Sequence, residues 1–333
     1  MRKTPVPPRR REAPGAGGAA AGPVLRFVLR RLAAGLLVLW GAATLAFLAL
    51  HLVPGDIVDT LLGPSTTATP ALRAQIRADY GLDQPLPVQY AHTLASLATG
   101  DLGRSYQLGQ PVTGVLSGQV VPTVELALAA CATALLLAFA AAYATAGRGR
   151  AARTAASGVE LLATSVPSFW LGILGLTFLS YRWHLLPATG ADGLASLLLP
   201  AVTLALPIAG VLAQVIRQEL DLAASRPFVL TARSRGASGH GVFLRHTGRH
   251  AALPVATLAG WITGSLLSGA VLTETVFARP GLGRVLVTAV TGKDIPVVSA
   301  LVVLSAAAFV VVNLLVDLLY LAIDPRLRTE APV

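Results

Sequence analysis

The sequence is poor in the groups from which soluble active sites are usually assembled. It holds one cysteine, Cys131, in 333 residues, so neither an intramolecular disulfide nor a cysteine-cluster metal site can form. Cys131 stands inside an apolar run, the setting of a small buried thiol. Only 13% of the residues are charged, roughly half the usual share for a soluble globular domain. No G-x-x-x-x-G-K-S/T segment occurs, which excludes a phosphate loop of that kind on this chain. The apolar runs are nearly devoid of the titratable groups that couple a carrier to protons or sodium. Glu125, Glu160, Glu274 and Asp317 stand at run edges instead, where ion pairing is expected. His51 and His250 also lie at run edges rather than beside a serine nucleophile, which argues against an intramembrane hydrolase. His246 and His250 have the spacing of a zinc-binding helix face, but His-Thr-Gly-Arg-His lacks the intervening glutamate, and Arg245 and Arg249 would repel a cation.

Long hydrophobic runs, by contrast, are abundant: 54% of the chain is hydrophobic. Six windows lack Asp, Glu, Lys and Arg altogether: 32–55, 126–147, 161–181, 193–216, 250–273 and 295–316. Each is 21 to 24 residues long, and about 20 apolar residues at about 1.5 Å rise suffice to cross a bilayer core. A seventh uncharged stretch, 105–124, is diluted by Gln107, Gln110, Gln119, two prolines and three glycines, and reads as an ordered segment outside the spans. The formal charge of +10 would suggest a nucleic-acid partner in a soluble protein. Here it has a topological explanation. With the N-terminus and alternate connections placed inside, 19 of the 26 basic residues fall on the inner side and 7 on the outer. The positive-inside rule then predicts six helices with both termini cytoplasmic, and no nucleic-acid partner.

The chain divides into a basic arm, 1–25, rich in Ala, Gly and Pro and expected to be disordered, a six-span domain, 26–325, and a short cytoplasmic tail, 326–333. The arm and the spans would both meet membrane lipid. Two connections are long. The outer one, 54–121, contains a predicted short helix over 71–80 followed by a Gly-Leu-Asp-Gln-Pro turn. The inner one, 217–254, predicts a helix opened by Pro227 and stopped by a left-handed Gly236, then a second helix from a Ser238 cap through Ala252, with Pro254 turning the chain back to the membrane. Val242, Phe243 and His246 share a face of that second helix, an apolar content that suits a partner's groove or a membrane surface. Pro167, Pro200 and Pro207 are positions where a span could kink or break.

Several segments resemble one family in order and spacing. They are Leu52-Val53-Pro54-Gly55-Asp56, Tyr80-Gly81-Leu82-Asp83-Gln84-Pro85, Gly100-Asp101-Leu102-Gly103-Arg104-Ser105, and Pro122-Thr123-Val124-Glu125-Leu126. Further on come Pro167-Ser168-Phe169-Trp170-Leu171-Gly172, Glu274-Thr275-Val276-Phe277, Pro280-Gly281-Leu282-Gly283, Asp317-Leu318-Leu319-Tyr320 and Asp324-Pro325-Arg326. Thr231-Ala232-Arg233-Ser234-Arg235-Gly236, with Arg245-His246 and Leu253-Pro254, is similar to that family's cytoplasmic coupling loop. The family is that of the membrane subunits of bacterial binding-protein-dependent ABC importers of the dipeptide, oligopeptide and nickel type. The Glu-Ala-Ala of the general importer motif is replaced by Leu230-Thr231-Ala232, a departure usual in the peptide branch.

The resemblance implies an all-α, six-helix permease bundle of the type I importer kind, with no enzymatic activity and no cofactor of its own. It implies a second homologous permease subunit, two ATPase subunits that carry ATP and Mg, an extracytoplasmic solute-binding protein, and residence in the bacterial plasma membrane. Phe228, Thr231, Ala232, Arg233, Arg235, Gly236, Phe243, Arg245, His246 and Pro254 would form the coupling surface for the ATPases. Trp261, Ser265 and Ser268 in the fifth window are candidates for the solute pathway. The implied activity is inward movement of di- or oligopeptides. Nickel complexes, glutathione or oligosaccharides are alternative cargoes of the same mechanism, an ion-coupled carrier is the alternative mechanism, and a scaffold without transport is a third class.

Overall fold

The computed structural model describes residues 21–52, 55–62, 69–145, 148–190, 193–224, 227–236, 241 and 252–323. Among these every regular element is a helix, and Arg104 with Pro111 forms an isolated extended pairing. In chain order the helices are α1 (Ala21–Leu52), α2 (Ile57–Leu62), α3 (Pro70–Asp79), α4 (Leu86–Thr99), α5 (Val112–Thr145), α6 (Arg150–Ser165) and α7 (Ser168–Gly175), the last continued by a π-helical stretch, Leu176–Arg182. Then follow α8 (Gly193–Ala224), α9 (Pro227–Ser234), α10 (Ala252–Thr257), α11 (Ala259–Val276), α12 (Leu282–Thr291) and α13 (Ile295–Ile323).

Four of the described helices, α1, α5, α8 and α13, are long and apolar enough to cross a membrane, and α6 with α7 makes a fifth if that bent pair is one span. The first, second, fourth and sixth windows therefore appear as uninterrupted helices. The third is broken. Val166 takes an extended conformation (φ −84°, ψ 125°), as expected of a residue whose α region is blocked by the following proline, and α6 and α7 meet at 96°. The fifth window is represented by α10 and the 18-residue α11, which turns polar at Glu274. Pro122, Pro200 and Pro207 lie inside continuous helices, so Pro167 is the proline at which a described span breaks. The segment 105–124 also differs from its sequence reading: α5 is already helical from Val112, because Gly and Gln dilute apolarity without ending a helix.

The bundle is organised on α8. More than half of its most apolar window, 56%, is buried, against 22% to 33% in α1, α5 and α13. Helix α5 lays Leu126, Ala130, Ala134, Ala138 and Ala142 against α8, all fully buried. That spacing of four forms one continuous ridge, and its small side chains bring the two backbones together. Ile262, Leu266 and Ala270 of α11 close the same core, and Cys131 packs partly buried at its margin. Helix α13 pairs with α1. Large apolar side chains such as Leu36, Leu45, Leu128 and Leu136 face outwards, the pattern of a surface in contact with lipid or another apolar chain.

Short helices gather at one end of the bundle: α2, α3 and α4 lie between the end of α1 and the start of α5, and α12 lies between α11 and α13. We call this the capped end; α9 and α10 mark the opposite one.

Overfilling the α5 ridge should show how much depends on it. Ala138→Phe is expected to destabilise by about 1–3 kcal/mol or more through forced repacking, read as a lower thermal midpoint of the detergent-solubilised protein. Leu136→Phe, at a site 71% exposed, should change stability by less than about 0.5 kcal/mol.

Candidate functional site

At the uncapped end α8 runs for 32 residues and is followed directly by α9. Proline at the first position of α9 costs no hydrogen bond, and the helix ends as the sequence predicts: Arg235 N–H bonds to Thr231 O at 3.2 Å, and Gly236 takes φ +83°. Phe228, Thr231, Ala232 and Arg233 lie on α9, with Arg235 and Gly236 just beyond it. Thr231, Ser234, Arg235 and Gly236 are exposed while Val229 is buried. One face of α9 is thus anchored and the other is free. Phe243, Arg245, His246 and most of the expected second helix lie outside the described residues, as do the tail 326–333 and most of the arm. Pro254 differs from expectation. It sits inside α10, whose Val255 packs against the main core, so the chain re-enters the bundle through a short helix rather than at a bare turn.

Two ion pairs bind α6 to the same end of α8. Glu160 accepts from both guanidinium nitrogens of Arg217, at 2.7 and 2.6 Å, and Ser157 Oγ accepts a third bond at 3.1 Å. The carboxylate is 5% and the arginine 14% exposed, so this two-pronged bond is shielded from water. Arg153 and Asp221, one turn further out, pair at 2.9 Å in the open. On the other flank Arg31 of α1 meets Asp317 of α13 at 2.6 Å. The span-edge acids thus pair as the sequence reading expects, and Glu125 likewise reaches Arg279 at 3.2 Å.

Glu274 is the exception, and sequence reasoning missed its role. It is fully buried and holds backbone rather than a cation. Its carboxylate accepts from Thr123 Oγ1 at 2.6 Å, Gly283 N–H at 2.7 Å and Arg284 N–H at 3.2 Å. Thr123 Oγ1 in turn accepts from Leu282 N–H at 2.8 Å. The first three N–H groups of α12, which no carbonyl inside the helix can reach, are therefore all satisfied by side chains from α5 and α11. The glycines explain the local sequence: a Cβ on Gly281 would lie 2.2 Å from the Glu274 carboxylate, and one on Gly283 would lie 2.4 Å from the Val271 backbone. The detectable signal was the pair of glycines one residue apart, seven and nine positions after an acid.

Asp294 makes a second buried anchor at the start of α13. It accepts from Ser105 Oγ, from Tyr106 N–H at 3.1 Å and from Gln107 N–H at 3.3 Å. The Gly100–Ser105 segment is thereby fastened to the sixth window. Burial, with the nearby Asp294 and Tyr80, pushes the Tyr106 hydroxyl up to about 12, so it stays neutral at any physiological pH. Helix α4 is held to α1 by Tyr90 and Thr44 at 2.7 Å. Asp56, before α2, pairs with Arg77 of α3. Burial alone would raise its carboxyl, but the Val58 N–H and the Arg77 and Arg73 guanidiniums outweigh that and hold it below the ordinary value of 3.8.

The candidate pathway residues share one face of α11. Ile262, Leu266, Ala270 and Thr273 point into the core, whereas Trp261, Ser265, Ser268 and Leu272 repeat on the opposite side, with Ser265 half-buried and the other three exposed. Trp261, Ser265 and Ser268 are therefore brought together, away from the packed interior.

Two tests follow from this geometry. Glu274→Ala removes three acceptor bonds and strands buried donors, at roughly 1–3 kcal/mol for each unsatisfied group, so the solubilised protein should lose most of its thermal stability, while Glu125→Ala should lose little. The Asp56 contribution is present above the unfolded carboxyl value and is lost as pH falls through the depressed folded one. Backbone amides of α3 should therefore exchange faster at pH 3 than at pH 7 after correction for intrinsic exchange, and Asp56→Asn should abolish that difference.

Comparison with known proteins agrees with this arrangement. Residues 134–329 match the family described as binding-protein-dependent transport system inner membrane component, and residues 24–127 match its N-terminal companion. A Brucella abortus (strain 2308) protein bearing the name peptide transport system permease protein is 38% identical over 315 residues, covering 91% of this chain and 99% of the relative. The glutathione transport system permease protein GsiC of Salmonella typhi is 37% identical over 306 residues, covering 92% and 99%. Likeness over this length extends from α1 through α13, both anchors and the α9 end included, and the chain belongs to the family of inner-membrane permease components of binding-protein-dependent transport systems.

Proposed function

We propose that this multi-pass permease subunit carries peptides or peptide-like solutes inward, driven by ATPase subunits that grip its α9 end. That an importer of this family works with a binding protein and ATPases follows from the family itself. The cargo and the details of assembly are our reading. The names of the relatives, peptide and glutathione permeases, favour a peptide-like cargo. The excess of basic residues on one side favours placing α9 in the cytoplasm with both termini, and the capped end outside.

The single observation that carries the mechanism is the sharp stop of α9 at a left-handed Gly236, directly beyond the most buried helix of the bundle. A motor subunit seated on the exposed face of Thr231, Arg235 and Gly236, together with Phe228, Ala232, Arg233, Phe243, Arg245 and His246, would pull on α8 at one side and on α10, through Pro254, at the other. Helix α8 would pass that displacement to α6 through Arg217 and Glu160, and to α5 through the alanine ridge. Two arrangements of the bundle, biased by nucleotide bound elsewhere, then suffice for alternating access. In this scheme ATP and Mg stay on two partner ATPases, a second homologous subunit completes the pathway, and Trp261, Ser265 and Ser268 face it.

Proteoliposomes holding the whole complex test the reading. Uptake of a labelled dipeptide should require internal ATP and the binding protein and should survive collapse of ion gradients; gradient-driven uptake without ATP would overturn it. Gly236→Leu forces a side chain into a left-handed backbone at about 1–2 kcal/mol. It should lower uptake about tenfold or more while ATP hydrolysis and membrane insertion persist. Normal transport by that variant would remove Gly236 from the mechanism.

A further inference from the structure

Helices α10 and α11 would be one helix but for a single residue, Leu258. A continuous helix would pair Leu258 N–H with Pro254 O, four residues back. That carbonyl instead accepts from Thr257 Oγ1 at 2.6 Å, and Leu258 N–H turns to Val255 O at 3.2 Å. A threonine hydroxyl that competes for a helix carbonyl in this way interrupts the ladder. Leu258 takes φ −82° and ψ −2°, the bridge region used by tight turns. Regular bonding resumes where Ile262 N–H reaches Leu258 O at 2.8 Å. The side chain at the break, Thr257, is exposed.

Two residues further on, α11 rests on α13. A Cβ on Gly260 would lie 2.8 Å from Asn313 Oδ1, so only glycine lets the α11 backbone approach that amide so closely. Asn313 is the one asparagine of the chain and stands in the charge-free window 295–316. Its orientation follows from a neighbouring carbonyl. Phe309 O, at 2.7 Å, can only accept, so Nδ2 faces it and Oδ1 faces Gly260. Helix α13 is itself braced on its other flank: a Cβ on Gly35 of α1 would lie 2.7 Å from Val310, and Arg31 pairs with Asp317 at 2.6 Å. The start of α11 therefore bears on a fixed helix, while α10, beyond the break, continues from the 217–254 connection.

We infer that Leu258 is a joint that passes movement of this connection to α11, and that Asn313 is a positioning residue, the post on which α11 bears as it turns. The inference rests on the transport reading above and adds to it two residues outside both the coupling surface and the pathway face. The break lets α10 tilt with the ATPases without bending α11. The contact stops the near end of α11 from sliding towards α13, so displacement becomes rotation of the face that carries Trp261, Ser265 and Ser268.

The test uses the full complex in proteoliposomes, either nucleotide-free or arrested with ATP and vanadate. Hydrogen exchange at 257–259 should differ between the two states. Thr257→Val, nearly the same size, returns Pro254 O to the helix and should abolish that difference. It should also cut uptake of a labelled dipeptide per ATP hydrolysed about threefold or more, with the thermal midpoint unchanged or raised. Gly260→Ala, which favours helix, and Asn313→Ala should each lower uptake per ATP. The double variant should do no worse than Asn313→Ala alone, because the added methyl then has no amide to displace. The inference is overturned if exchange at 257–259 is the same in both states, if Thr257→Val couples as the parent does, or if the two changes at the contact simply add. Exchange requires no cargo: a parent complex without ATP-driven dipeptide uptake overturns the transport reading, and the exchange result still decides the joint.

Discussion

Close approach of α5 to α8 is the constraint on which the rest of the bundle depends. In lipid no hydrophobic force draws one apolar helix to another, so association rests on packing and on polar contacts between helices. The alanine ridge of α5 supplies the packing. Once α8 is buried on that side, α11 and α6 can occupy its remaining flanks, and α8 becomes the one helix that touches every moving part of the proposed cycle. The ion pair of Glu160 with Arg217 then fixes how α6 turns with it.

The polar contacts are spent at the ends. Glu274 and Asp294 each collect backbone N–H groups from a different part of the chain, and both do so at the capped end. Their logic is the same: a buried carboxylate satisfies donors that a helix start or a tight turn cannot satisfy internally. The cap is thereby tied to α5, α11 and α13 at once, and motion at the opposite end can tilt these helices without loosening the cover.

What the sequence made legible followed from how local each signal was. Runs without charge mark α1, α5, α8 and α13, since a span is defined by its own composition. The Pro227 start and Gly236 stop of α9 are equally local, and the structure places both. The third window was harder: its composition is that of a span, but the conformational restriction imposed by Pro167 on Val166 breaks it. The anchors were out of reach for a different reason. Thr123 and Glu274 stand 151 positions apart, Ser105 and Asp294 189, and nothing in a single sequence announces such a pairing. Even so, the segments that carry the family resemblance, Gly100–Ser105, Pro122–Leu126 and Glu274–Gly283, prove to be the ones that meet at these anchors. Their spacing recorded contacts that could be recognised before they could be explained.

Helix α11 keeps its duties on separate sides. Ile262, Leu266 and Ala270 hold it in place, and Trp261, Ser265, Ser268 and Leu272 lie off that packed face. Exchanges on the second set leave the first undisturbed, so a lineage can alter whatever that surface greets, step by step, while inheriting an unchanged framework. Under the proposed pathway, diversity of cargo would need no more architectural freedom than this.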